Sequence, residues 1–237
     1  MPKNNKKPIA NILLACLSTE MHQELLLHSE RVTLMANQVL YRAGEVITDV
    51  YFPINCIISL VSPIDEHAGL EVGLVGNEGM LGVTLLLESN IAPFDALVQA
   101  KGYALRIDSA MFLETLAQNS DLLHQLKLYL YVVIRQLGQT AACTRFHVVE
   151  ERLARWLLMT QDRAHADNFH MTQVFLAYVL GVRRVGITKA ANSLQQQQLI
   201  RYHRGDISII NRPGLEAASC GCYQADNEIY KRIIPIA

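Results

Sequence analysis

The residues of this sequence best suited by type and spacing to chemistry lie between Thr172 and Gln198, and the chemistry they suit is recognition of a polyanion. Arg184, Val185, Thr188 and Lys189 fall at i, i+1, i+4 and i+5, the outward face of one helix. A guanidinium can bond bidentately to guanine O6 and N7, an ammonium can reach a base or a phosphate, and a valine can touch a thymine methyl. Thr172, Gln173 and Arg183 flank this face, and Arg201 and Arg204 follow it. Thr172, Arg183, Arg201 and Arg204 suit phosphate contacts, which fix register without reading sequence, and Gln173 is a further DNA-binding candidate. Charge supports the same place. Six Lys or Arg stand against one acid, Asp206, from Arg183 to Arg212, whereas four stand against eleven acids from Arg31 to Asp121. Phosphate neutralisation needs clustered cations and not a high total, so a formal net charge of −1 is no obstacle.

Positioning such a face requires a scaffold, and the spacing around it predicts a helix-turn-helix. Thr172 can cap a first helix by accepting a backbone N–H. Leu176 and Leu180 face inward, and Ala177 is small where two helices cross. Gly181 ends the first helix where a left-handed residue is favoured, and Val182 plugs the turn. Ile187 and Ala190 return the recognition helix, near residues 184–198, to the same core. The alternative is an ordinary helical hairpin with a basic edge. Beyond Leu199-Ile200, the run Arg201 to Ile210 reads as two strands joined at Arg204-Gly205, the wing of a winged helix. Before the motif, Glu150 to Gln161 reads as an amphipathic helix with Leu153, Trp156, Leu157 and Thr160 inward, and His165 to Asn168 as a polar loop.

The first half has a different grammar. From about Val32 to Ile107, short β-branched runs alternate with turn residues: Val39 to Tyr41, Val50 to Phe52, Ile57 to Val61, Leu70 to Val75, and Leu97 to Ile107. That pattern predicts an antiparallel sandwich, barrel or roll. From Asp121 the period becomes helical. Leu123, Leu126, Leu130, Val133, Leu137 and Thr140 are spaced 3, 4, 3, 4, 3, which suits the seam of a homodimer helix. The same spacing also suits one helix packed on its own roll. The expected organisation is α+β: a sensor roll over residues 1–120, a dimerisation helix and hinge over 121–147, and a DNA-binding winged helix over 148–237. The boundary is expected near Arg145 to Val148.

Composition removes other classes. The chain is 51% hydrophobic and 18% charged, as a soluble globular protein would be. No apolar run approaches the roughly 20 residues of a membrane span. The basic start, Met1 to Lys7, is not followed by a signal-peptide core, so a cytoplasmic protein without a membrane partner is expected. Five scattered cysteines are no disulfide framework. Cys220-Gly-Cys222 is too closely spaced for a two-cysteine zinc knuckle and has no second pair nearby in sequence, so no metal is expected. No Ser/His/Asp set, Walker loop or paired histidine ligands stand out, and the reading is of a non-enzyme. A ligand-binding module that controls a partner protein is the other class weighed; the wing and the basic helix argue against it.

In this order, roughly residues 15–220 resemble the Crp/Fnr family of bacterial transcription regulators. Thr172 to Lys189 with the Arg204-Gly205 wing, Gly76-Asn-Glu-Gly-Met-Leu-Gly82 in the roll, and Phe146 to Arg152 carry the resemblance. It implies a cyclic nucleotide-binding-like jelly roll, a homodimer on a partly palindromic duplex, RNA polymerase as a further partner, and an effector pocket at Gly76, Glu78, Gly79 and Gly82. The departures are informative. The family's glutamate after the first recognition arginine is Val185 here, which implies a different target sequence. The Arg-Ser pair that holds a cyclic phosphate aligns with Phe94-Asp95, so cyclic AMP is not the expected effector. With Cys16 the one cysteine near the start, an iron–sulfur cluster is not expected, and His22, His28 and His67 are solitary. No cofactor is expected, and the effector stays open.

Overall fold

The computed structural model describes residues 11–64 and 67–234; the basic start lies outside them. Two short helices, α1 (Ile12–Ala15) and α2 (Thr19–Leu27), precede the roll. Buried Asn11 caps α1 and donates to the carbonyls of Pro53 and Gly79 at 3.0 and 2.7 Å, fastening α1 to the sheets.

Among the described residues seven strands form the roll: β1 (Glu30–Leu34), β2 (Val39–Tyr41), β3 (Asp49–Pro53), β4 (Ile57–Ile64), β5 (His67–Val75), β6 (Asp95–Ala100) and β7 (Gly102–Asp108). They make two antiparallel sheets, ordered β1-β7-β3 and β2-β6-β4-β5. The run Leu97 to Ile107, read above as one stretch, is two strands. At Lys101 the chain leaves one sheet for the other, and Gly102 lies so close to Asn55 that a Cβ would sit 2.6 Å from its carbonyl oxygen. Phe52, Ile58, Val98, Ile107 and Phe112 are fully buried between the layers, the expected result of alternating strands facing one core.

After α3 (Ser109–Gln118), Asn119 caps the 27-residue helix α4 (Ser120–Phe146), accepting the Leu122 N–H at 2.9 Å. One face of α4 closes the roll through Leu122, Leu126, Tyr129 and Val132. This removes Leu126 from the expected seam. Leu126 is 1% exposed in its own core, while Leu123, Leu130 and Val133 pack partly on that core. Leu137 is half-buried. The outward stripe is rotated to Tyr131, Ile134, Gly138 and Ala141, all exposed or half-buried. The heptad period serves both faces of α4, and the roll covers one of them.

A second core belongs to α5 (Val149–Ala164), α6 (Gln173–Leu180), α7 (Arg184–Gln196), a sheet ordered β8-β10-β9, and α8 (Arg212–Ala218). The strands are β8 (Asn168–His170), β9 (Ile200–His203) and β10 (Asp206–Ile209). The final helix, α9 (Cys222–Ile233), bridges the two cores: Tyr223 lies in the second, Tyr230 and Ile234 in the first. Polar contacts also cross between them. Trp156 donates to Glu71 at 2.8 Å, Gln99 to Thr160 at 3.2 Å, and Arg163 to Glu78 at 2.7 Å.

Candidate nucleic-acid interface

The helix-turn-helix is assembled from local rules. Thr172 Oγ1 accepts the Phe175 N–H at 3.1 Å and starts α6. Gly181, at φ 60°, ends it, and the Val182 N–H reaches back to the Ala177 carbonyl at 3.0 Å. That is the closure of a Schellman-type turn, which favours glycine at the left-handed position. Leu176, Ile187, Ala191 and Leu194 are essentially buried and lock α6 against α7. The N-terminus of α5 uses Glu151, whose carboxylate accepts the Val148 N–H at 3.3 Å.

This packing leaves the sequence-derived residues outward. Thr172, Arg184, Val185, Arg201 and Arg204 are exposed, Val185 to 59%. Arg183 and Lys189 are at least partly exposed. Gln173 and Thr188 meet: the Thr188 hydroxyl lies 2.8 Å from Gln173 Oε1 and 3.1 Å from the Arg184 carbonyl. Thr188 therefore ties the first turn of α6 to α7, and in this arrangement its hydroxyl serves to orient the recognition helix. Arg183 is the N-cap of α7 and makes no side-chain cap, so the positive end of the helix dipole lies open beside cationic side chains.

Helix and wing enclose a concave groove of about 300 Å³ whose lining includes Gln173, Arg184, Asn192, Gln195, Tyr202 and Arg204. The wing turn holds Arg204 at φ 50° and Gly205 at φ 95°, the consecutive left-handed pair of a two-residue hairpin. Gln195 accepts the Tyr202 N–H at 2.8 Å, and the Tyr202 hydroxyl donates to the Met171 carbonyl at 2.8 Å, fixing wing to helix. Asn192 was missed in the sequence reading. It lies two turns beyond Arg184 on the same face, and extending the i, i+4 series by one step would have found it. Strand β8 was also missed, because Asn168 to His170 carries no alternation; it pairs with β10 and widens the wing sheet.

The proposed effector residues are differently placed. Gly76, Gly79 and Gly82 are buried, and a Cβ on Gly76 would meet the side chain of Arg163 at 2.6 Å. Gly79 abuts the Tyr129 ring, and the Tyr129 hydroxyl approaches the Met80 carbonyl at 3.4 Å. Glu78 is bound by Arg163 of α5, and its carbonyl accepts from the Tyr230 hydroxyl of α9. The glycines of this segment thus pack against side chains of the protein itself. Of this segment, Asn77 and Glu78 reach a cleft of about 790 Å³, which runs between roll, α5 and α9. Asp95, where a phosphate-binding cation was sought, accepts the Ala43 N–H at 2.8 Å and pairs with Arg42 at 3.6 Å.

Cys220 and Cys222, set aside above, do have donors beside them, namely Cys143 and His147 at the end of α4. The signal was invisible in sequence because the pairs are more than seventy residues apart.

Comparison with known proteins agrees with this geometry. Residues 151–218 match the Crp-like helix-turn-helix domain family. No curated protein matches the chain. Among solved structures, FixK2 from Bradyrhizobium japonicum is 14% identical, with 81% of this chain and 98% of that one covered and a TM-score of 0.69. The c-di-GMP-responsive global regulator CLP of Xanthomonas campestris is 18% identical, with 81% and 99% covered and a TM-score of 0.66. A CRP-family transcriptional regulator from Thermus thermophilus is 15% identical, with 79% and 96% covered and a TM-score of 0.67. At such identities the likeness establishes the fold. The chain therefore has the cyclic nucleotide-binding fold and Crp-like helix-turn-helix of the Crp/Fnr regulators. Domain and fold together are those of DNA-binding transcription regulators. Among the described residues no helix is long and apolar enough to cross a membrane.

Proposed function

We propose that this chain is a sequence-specific regulator that binds a partly palindromic duplex as a homodimer, in the cytoplasm, and acts on transcription through RNA polymerase. One observation carries the reading: Arg184 and Arg204 line the groove between recognition helix and wing, and Arg183, Lys189 and Arg201, on the same two elements, are exposed as well. From Met171 to Gly205 the sequence contains no Asp or Glu to neutralise them. In this account Arg184 and Lys189 read base edges, Val185 contacts a thymine methyl, and Asn192 extends the reading face. Thr172, Gln173, Arg183, Arg201 and Arg204 hold the backbone.

The homodimer is supported by the exposed stripe of α4, with Tyr131 at 47% and Ile134 at 56%. Two-fold pairing there would set two recognition helices about one DNA turn apart. The division into sensor roll, helix and hinge, and winged helix at 120 and 147 is part of the same proposal. The effector is a molecule other than cyclic AMP, because Asp95 would repel the phosphate that the family's Arg-Ser pair attracts.

The test is fluorescence anisotropy with a labelled random-sequence duplex across a salt series. Binding should weaken steeply, with a log–log slope near −0.9 per phosphate neutralised. Arg204→Ala should weaken all duplexes nearly alike and flatten that slope by about one. A salt-independent signal, or none, would remove DNA from the proposal.

A further inference from the structure

Three thiols and an imidazole from distant parts of the chain converge beside the C-terminus of α4. Cys143 lies in its last turn and His147 is the C-cap, four residues on and so on the same side. Cys220 lies in the turn between α8 and α9, and Cys222 is the first residue of α9. The three cysteines are buried and form a small cluster of their own, outside both main cores. The four donor atoms all lie within 4.8 Å of one another. Cys143 Sγ is 3.5 Å from Cys220 Sγ, and Cys222 Sγ is 3.5 Å from His147 Nδ1. Bonded sulfurs would be about 2.0 Å apart. Thiolates holding a zinc ion tetrahedrally at about 2.3 Å space their sulfurs about 3.8 Å apart. The cluster has the dimensions of that coordination shell.

We propose that Cys143, His147, Cys220 and Cys222 form a Cys₃His site for a Zn²⁺ ion that staples α9 and the DNA-binding half to the end of the long helix. Four protein donors, three of them buried, describe a closed structural site with no open position for catalysis. Loading it releases three thiol protons, and the resulting centre carries one net negative charge. Its surroundings suit that charge. Arg152 and Arg155, 8% and 6% exposed, line the same small cavity as Cys143. Asp226 pairs with Arg155 at 2.6 Å, yet among the described residues Arg155 Nε has no hydrogen-bond partner. Gln139 Nε2 donates to Cys222 Sγ at 2.9 Å, the kind of neighbour that orients a ligating thiolate.

The experiment measures metal, and so is independent of whether the chain binds DNA. Full-length, untagged protein is purified under reducing conditions, exposed to Zn²⁺, dialysed and assayed by mass spectrometry of the metal. About one zinc per chain is expected. Cys143→Ser, Cys220→Ser and Cys222→Ser should each lower retention at least tenfold, whereas Cys16→Ser should not. Circular dichroism checks that each variant is folded. For any that is not, Co²⁺ loading of the unaltered chain decides, through tetrahedral d–d bands and sulfur-to-metal charge transfer. His147→Cys should keep about one equivalent and strengthen the charge-transfer absorption. Negligible zinc in the parent, equal zinc in parent and folded Cys220→Ser, or a weak octahedral Co²⁺ spectrum would each overturn the proposal.

Discussion

Arg184 and Glu71 show what a single residue decides in this molecule. Arg184 begins the recognition helix with its side chain exposed and its backbone fixed by the turn at Gly181. If it bonds guanine bidentately, Arg184→Ala should cost roughly 1–3 kcal/mol at one base pair per half-site and relax specificity there. Competition binding with single-position variants of the selected site measures this; uniform loss at every position would make Arg184 a phosphate contact instead. Glu71 is buried at the contact between β5 and α5, and burial pushes its carboxyl up to about 7 from the ordinary 4.5. Hydrogen bonds from Ser59 and Trp156 and the charges of Arg163 and Arg155 pull the other way but do not win. With the folded value raised, the stability it contributes is full below the unfolded value and is lost as pH rises through about 7. The amount at stake is on the order of 3 kcal/mol. Glu71→Gln should therefore match the parent near pH 5 and exceed it in urea stability near pH 8. Parallel profiles for the two proteins would contradict this assignment.

At the scale of elements, α4 has two faces with opposite expectations. Leu126→Ala should destabilise the monomer by about 2–5 kcal/mol, because it opens a cavity in the roll core. Ile134→Glu should leave folding nearly intact and convert dimer to monomer in light scattering, because that side chain is exposed within one chain. A monomeric parent would contradict the dimer stripe. The helix itself was legible in the sequence, as were Thr172, Gly181 and the Arg204-Gly205 turn, since each depends on neighbours within a few residues. The side of α4 turned to the roll was not legible, because period alone fixes a stripe and only the tertiary partner chooses which one is covered. The same reason hid the filling of the Gly76 to Gly82 segment. Arg163, Tyr129 and Tyr230 that occupy its surroundings lie far away in sequence.

Across the whole molecule, the roll and the DNA-binding half are joined by polar contacts that close over the segment where an effector was expected. Arg163 of α5 holds Glu78, with side chains 9% and 16% exposed, and the carbonyl of Glu78 receives the Tyr230 hydroxyl. Gly181, at the turn of the helix-turn-helix, rests against Leu70 of β5. A signal that shifts β5 or Glu78 thus bears directly on α5 and on the reading head. Arg163→Ala leaves a partly buried carboxylate unpaired, which commonly costs about 3–5 kcal/mol. Faster hydrogen exchange along α5 and β5 together is expected, and unchanged exchange would show that the pair does not hold the halves together.

The central claim is that this molecule reads duplex DNA with a paired recognition helix. Its most direct test is selection from a random duplex pool by the purified chain, followed by sequencing of the retained sites. An enriched motif with two-fold symmetry is expected, its half-sites about one helical turn apart. An unenriched pool would contradict it.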